Sequence, residues 1–342
     1  MLEPTVFSTE EIINQVKTQY NIEIKKIEKE PRGSANIFYI YTTTAKYVLK
    51  EFESKCNEEN VFKEIKIINH LRKDGIQVPK YVKTTAGNYY FKYKNRTVIL
   101  MEFIDGYTKE SNTGNISQVI ESAEILGKML KSLQSYEGLP EDNIETWCGN
   151  GKLKTGKENF QNLLNKIEQL SDQNVAQQIK LDVKSRIEII EKLEKMDFSN
   201  IKNMTLMNSH GDYSIMQFIY KDEKVVALLD FAKARKMPVA WEIIRSFTYI
   251  DKESANGDLN IENLVDYTKK VMEYVTLNEY DLKWMPYFYL MQLVTSTFGY
   301  EQYIQNSNQK QLLDFAFWRC KMSVTLFNRL EEISSRLAEI GG

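Results

Sequence analysis

Between Ser209 and Asp230 the chain reads SHGDYSIMQFIYKDEKVVALLD, which places the acids Asp212 and Asp230 on either side of a strand–turn–strand pattern, with the amide of Gln217 between them. Phe218-Ile-Tyr220 reads as a short strand, Lys221-Asp-Glu-Lys224 as a charged turn, and Val225 to Leu229 as a buried second strand. Such a hairpin brings its two ends together, so both carboxylates and the amide can face one small site. That set suits metal-assisted phosphoryl transfer, which needs an acid to position the attacking hydroxyl and oxygen ligands for Mg²⁺. Taken singly, each acid has a structural reading: an Asp in a loop makes an Asx-turn or caps a helix, and an acid after an apolar strand is its solvated end. The combination is what carries the chemistry.

His210-Gly211-Asp212, followed by Leu228-Leu229-Asp230-Phe231, resembles the aminoglycoside phosphotransferase family, whose pattern is HGD, an Asn five residues after the Asp, and a hairpin closed by an Asp. This chain departs at the Asn position, which holds Gln217. The resemblance implies a protein-kinase-like α+β fold of two lobes with the site in the cleft between them. Its N-terminal nucleotide-binding lobe, residues 1–103, would be an antiparallel sheet with one main helix. The larger, mostly helical lobe, residues 104–342, would carry catalysis and acceptor binding. In this scheme Asp212 orients the acceptor hydroxyl, His210 holds its loop, and Gln217 and Asp230 bind Mg²⁺.

The elements that must position these groups can be read in order. Ser8 to Glu11 has the form of a capping box opening a helix to Tyr20. Ile22–Ile27, Asn36–Tyr41 and Lys46–Lys50 read as strands. A helix from about Glu58 to Lys73 stops at Gly75, and two more strands accompany the turns at Gly87-Asn88 and Lys94-Asn95, which completes a five-stranded antiparallel sheet. Lys50 closes the third strand and Glu64 lies on the following helix. By resemblance this pair grips the nucleotide phosphates, Ser34 lies in the loop that covers them, and the backbone near Glu102 and Ile104 reads the adenine edge. Backbone readout leaves ATP and GTP open as donors. Val119 to Leu133 reads as a core helix, Leu139 to Phe198 as charged and helical, Glu242 as structural, and Ile261 to Leu337 as helix with Trp284, Phe288 and Tyr289 in its core.

A net charge of −2 gives no case for nucleic acid or for an anionic membrane as partner. Cys56, Cys148 and Cys320 are scattered and His70 and His210 are the chain's two histidines, so neither a disulfide framework nor a histidine metal cluster is expected. The first residues, MLEPTVFSTEEII, carry acids and lack an apolar core segment, and a cytoplasmic location is expected. The partner is then a small hydroxyl acceptor. An aminoglycoside or other antibiotic is one class. Kinases of amino alcohols, sugars, methylthioribose and homoserine offer others, and a catalytically impaired binding or spore-coat protein is the non-enzymatic alternative. Asp251 to Lys283 holds eight acids against four lysines, which fits an acidic wall for a polycation or a solvated helical face.

Overall fold

The computed structural model describes residues 3–30, 35–56, 58–168 and 170–341. In chain order the principal elements are α1 (Thr9–Tyr20), β1 (Lys26–Glu30), β2 (Asn36–Tyr41), β3 (Lys46–Glu51), α2 (Glu58–Lys73), β4 (Tyr90–Tyr93), β5 (Arg96–Glu102), α3 (Ile116–Leu133), α4 (Asn150–Ile167) and α5 (Gln173–Leu193). They continue with β6 (Leu206–Ser209), β7 (Phe218–Lys221), β8 (Lys224–Leu228), β9 (Arg235–Pro238), α6 (Val239–Ile250), α7 (Ile261–Met272), α8 (Glu279–Thr295), α9 (Tyr300–Gln305), α10 (Lys310–Asn328) and α11 (Leu330–Ala338). By internal contact the chain divides into one unit of Met1–Thr108 and Gln217–Lys233 and another of Lys109–Met216 and Ala234–Gly342.

The first unit is built on a five-stranded antiparallel sheet in the order β1-β2-β3-β5-β4. Alternation along β2 buries Asn36, Phe38 and Ile40. With Leu49, Phe91, Val98 and Leu100 the two apolar residues form a core against which α1 lays Ile12, Val16 and Tyr20. Each such side chain contributes about 1.5–3 kcal/mol of burial. The capping box of α1 is present, with the Glu11 amide donating to Ser8 Oγ and the Ser8 amide to the Glu11 carboxylate.

The first strand starts at Lys26 rather than at Ile22. Asn21 ends α1 in a left-handed turn at φ 53°. Ile22 and Ile24 then pack against the sheet core from an extended connector, so their alternation reports burial without strand pairing. Pairing begins only where Lys26 meets Tyr41.

β7 and β8 pair through a two-residue turn, and Asp222 and Glu223 both hold positive φ, 50° and 61°, as a twist-matched hairpin requires. The hairpin is fixed within the first unit by a reciprocal backbone pair between Tyr107 and Tyr220 (2.9 and 2.8 Å). Gly106 makes that approach possible, because at φ 152° any side chain would collide with the Tyr220 carbonyl.

The second unit is helical apart from the β6–β9 pair. α3 buries Val119, Ala123, Leu126, Leu130 and Leu133 on one face, as its spacing predicts. α8 is buried along almost all of its length, including Trp284, Phe288 and Tyr289. Its N-terminus is tied to the approach to β6 by Asp281, whose carboxylate accepts from the Thr205 amide (2.7 Å) and hydroxyl (2.6 Å). Among the described residues, no helix is long and apolar enough to cross a membrane.

Candidate active site

Within the first unit Lys50, Glu64, Tyr81 and Asp230 form one electrostatic group. Lys50 is the next-to-last residue of β3, and its Nζ lies 3.9 Å from Glu64 Oε1 on α2. Glu64 is buried and also accepts from the Tyr81 hydroxyl at 3.2 Å. Burial works to lower the Lys50 pKa, but the carboxylates of Glu64 and Asp230 outweigh it and hold the ammonium above its ordinary value. Burial first, then Glu64 and Asp230, push the Tyr81 hydroxyl well up, so it stays a donor.

Asp230 follows β8 with φ 61°, a left-handed conformation that Asp tolerates better than most residues and that recurs at functional sites. The Leu229 amide donates to the Gln217 carbonyl at 2.8 Å, which sets Gln217 beside the residue preceding Asp230. Among the described residues no group of three or more His, Cys, Asp and Glu forms a metal cage. One carboxylate and one amide oxygen nevertheless fit Mg²⁺, which takes few protein ligands when substrate phosphates and water complete its shell. The Glu102 amide donates to the Lys80 carbonyl (2.9 Å), so Glu102 can offer a nucleotide only its carbonyl. Ile104 lies beyond β5, and its backbone makes no hydrogen bond among the described residues. Ser34 lies outside the described residues.

Within the second unit the loop after β6 carries His210 and Asp212. His210 is fully buried, accepts the Asp212 amide on Nδ1 (3.2 Å) and meets Tyr213 edge-on. Glu242, in the first turn of α6, accepts from the amides of Gly211 (2.6 Å) and Tyr213 (3.2 Å). Burial raises the Glu242 pKa, while His210, Arg245 and the two amides act in the other direction. One turn along α6, Arg245 donates to Asp212 Oδ1 at 2.5 Å and to the Tyr213 carbonyl at 3.2 Å. The Tyr213 hydroxyl in turn donates to the Ser122 carbonyl of α3 (2.7 Å). The HGD loop is thus clamped from α6 and α3, and Asp212 is left half-buried with a guanidinium on one oxygen.

Both groups of residues lie within a stretch that matches a known family. The profile of the Phosphotransferase enzyme family covers residues 27–267 of this chain. The chain belongs to that family. A homoserine kinase of Zymomonas mobilis is 23% identical over 218 residues, 63% of this chain and 62% of that protein, so the chain spans less than two thirds of this curated relative's length. Among solved structures, an aminoglycoside phosphotransferase of Alicyclobacillus acidocaldarius superposes with TM-score 0.66 at 14% identity, covering 98% of each chain. The amicoumacin kinase hAmiN, in complex with AMP-PNP, Ca²⁺ and Ami, superposes with TM-score 0.61 at 16% identity, covering 95% of this chain and 97% of that one. At such identities the two structures establish the kinase-like fold.

Two further residues contact the predicted acids without being announced by the motifs. Arg245 and Tyr81 bind the predicted acids directly, yet neither stands in the HGD loop or the hairpin. The available signal for Arg245 was an arginine inside the apolar run Trp241 to Tyr249. Several acids of the stretch from Asp251 to Lys283 are engaged or buried. Asp251 and Asp281 are buried, burial pushing the first up to about 6, while Glu262 pairs with Arg336 (2.8 Å) and Glu273 with Lys270 (2.7 Å).

Proposed function

We propose that the chain is a small-molecule kinase that transfers the γ-phosphate of ATP or GTP to a hydroxyl of a small acceptor. The observation that carries this reading is the Lys50 ammonium, placed 3.9 Å from Glu64 and within electrostatic reach of Asp230. A lysine so held is ready to grip nucleotide phosphates, and a nearby carboxylate is ready for their cation. Lys50 would steady the α- and β-phosphates while Glu64 and Tyr81 fix its direction. Glu102 and Ile104 would present backbone groups to the base, and Ser34 would belong to the loop covering the phosphates. Asp230 and Gln217 would hold Mg²⁺, which when bound neutralises charge on the phosphate oxygens.

On the acceptor side, Asp212 would align the hydroxyl and take up its proton, while Arg245 keeps one carboxylate oxygen in place. His210 and Glu242 hold the loop so that this carboxylate does not wander. The acceptor is an antibiotic, as for the aminoglycoside and amicoumacin kinases, or a metabolite alcohol, as for the homoserine kinase. Gln217 in place of Asn favours one other reading, a kinase-shaped binding protein that has lost turnover. Phosphate transfer measured on a panel of hydroxylated antibiotics and metabolites, alongside nucleotide binding with and without Mg²⁺, separates the two readings. Nucleotide binding without transfer to any acceptor supports the binding protein. No binding of ATP or GTP at millimolar concentration defeats both.

A further inference from the structure

Building on the kinase reading, we propose that the acceptor carries an anionic group, a carboxylate foremost, and that Arg319 on α10 receives it. Arg319 is 5% exposed, and among the described residues its hydrogen-bond partner is the Ser296 hydroxyl, 2.8 Å from a terminal nitrogen. Its Nε is buried and unpartnered, and among the described residues no carboxylate lies within 4 Å of the guanidinium. A buried guanidinium ordinarily finds a carboxylate or phosphate for its fork of donors, because an unpaired charge out of water is costly.

The neighbouring charges deepen the deficit. Arg186 and Arg245 both lie within electrostatic reach of Arg319, and with burial they depress its pKa. Arg245 is committed to Asp212. Arg186 spends its terminal nitrogens on the carbonyls of Ser296 (2.7 Å) and Ala316 (3.0 Å). Asp182, a buried carboxylate, accepts from the Tyr300 hydroxyl (2.6 Å) and from Gln178 (2.9 Å). Arg319 is therefore left with a hydroxyl as its hydrogen-bond partner and a buried Nε without one.

The position of Arg319 ties it to the acceptor acid. The Tyr249 ring lies under the Arg245 guanidinium, 4.4 Å away, and meets Phe315 edge-on at 5.8 Å. Arg319 sits one helical turn beyond Phe315, 5.6 Å from that ring. Asp212, Arg245, Tyr249, Phe315 and Arg319 thus form one continuous row of contacts. Phe298, 44% exposed and edge-on to Phe315, carries the same apolar surface out to solvent. A compact hydroxy acid could place its hydroxyl at Asp212 and its carboxylate at Arg319. A polycationic acceptor would bring an ammonium beside an already uncompensated cation.

The test compares matched short-chain acceptors, each a hydroxy acid, its primary amide and the corresponding amino alcohol, by thermal shift and by nucleotide-dependent transfer. The expected result is that hydroxy acids bind at least about tenfold more tightly than their amides, and that Arg319→Met removes this preference while the ATP-induced shift is retained. Arg319→Lys, which keeps the charge and loses the fork, should retain part of it. Equal response to acids and amides, preference for the amino alcohols, or no response to any acid overturns the proposal. Loss of the ATP shift in the wild type would instead defeat the kinase reading itself.

Discussion

Asp212 and Arg245 show how a single residue pair sets the chemistry on offer. Arg245 holds Oδ1 of Asp212 at 2.5 Å, and on the proposed reading this carboxylate aligns the acceptor hydroxyl. Asp212→Asn should therefore lower turnover by about 10²–10⁴-fold while nucleotide affinity is nearly unchanged, read from kcat and from an ATP titration. Arg245 is a positioning residue, and its substitution should separate kcat from KM. Arg245→Met should cost about 10²-fold in kcat with nucleotide KM unmoved, and Arg245→Lys should recover part of that loss. A merely structural role would lower stability with no recovery of kcat by lysine. Asp212, His210 and Asp230 were legible because their spacing is unusual. Arg245 was not, since its partner is 33 positions away and only the fold brings them together.

Helix α6 and the β7–β8 hairpin are the elements that turn sequence into site. α6 enters its first turn with Glu242, whose two oxygens each satisfy one amide of the HGD loop. Glu242→Gln would set an NH₂ group against one of those donors. It should cost about 1–3 kcal/mol in chemical denaturation and reduce turnover as well, because the same bonds shape the loop. The hairpin carries Gln217 and Asp230. Gln and Asn present the same amide oxygen, and Gln has one more methylene to fold back. Gln217→Asn should leave the Mg²⁺ dependence of activity within about twofold of wild type, and Gln217→Ala should raise the Mg²⁺ requirement by about tenfold. A Mg²⁺ curve unmoved by Gln217→Ala would remove Gln217 as a ligand. The hairpin and α2 were legible because burial, turn chemistry and period agree there. The start of β1 was misplaced because alternation records which residues pack on the core, and Ile22 and Ile24 are partly buried without a strand partner.

At the scale of the whole molecule, each unit holds one half of the proposed chemistry: Lys50, Glu64, Gln217 and Asp230 in the first, His210 and Asp212 in the second. The order of elements, from the sheet through the helices to the HGD loop and hairpin, could be read along the chain because each has its own period or turn signal. The acceptor could not be read, because on the proposal made above it depends on side chains such as Tyr249, Ser296 and Arg319 that are far apart in sequence. The acidic stretch shows the same limit, since Asp281, Glu262 and Glu273 are engaged in a cap and ion pairs once folded. The central claim is that both units serve one phosphoryl transfer. The direct test is single-turnover transfer from γ-labelled ATP or GTP to the acceptor panel by wild type, Lys50→Met and Asp212→Asn, with nucleotide affinity measured in parallel. The account predicts that Lys50→Met loses nucleotide affinity and transfer together, while Asp212→Asn binds nucleotide normally and loses transfer by at least about 10²-fold. Transfer by Asp212→Asn at the wild-type rate would contradict it.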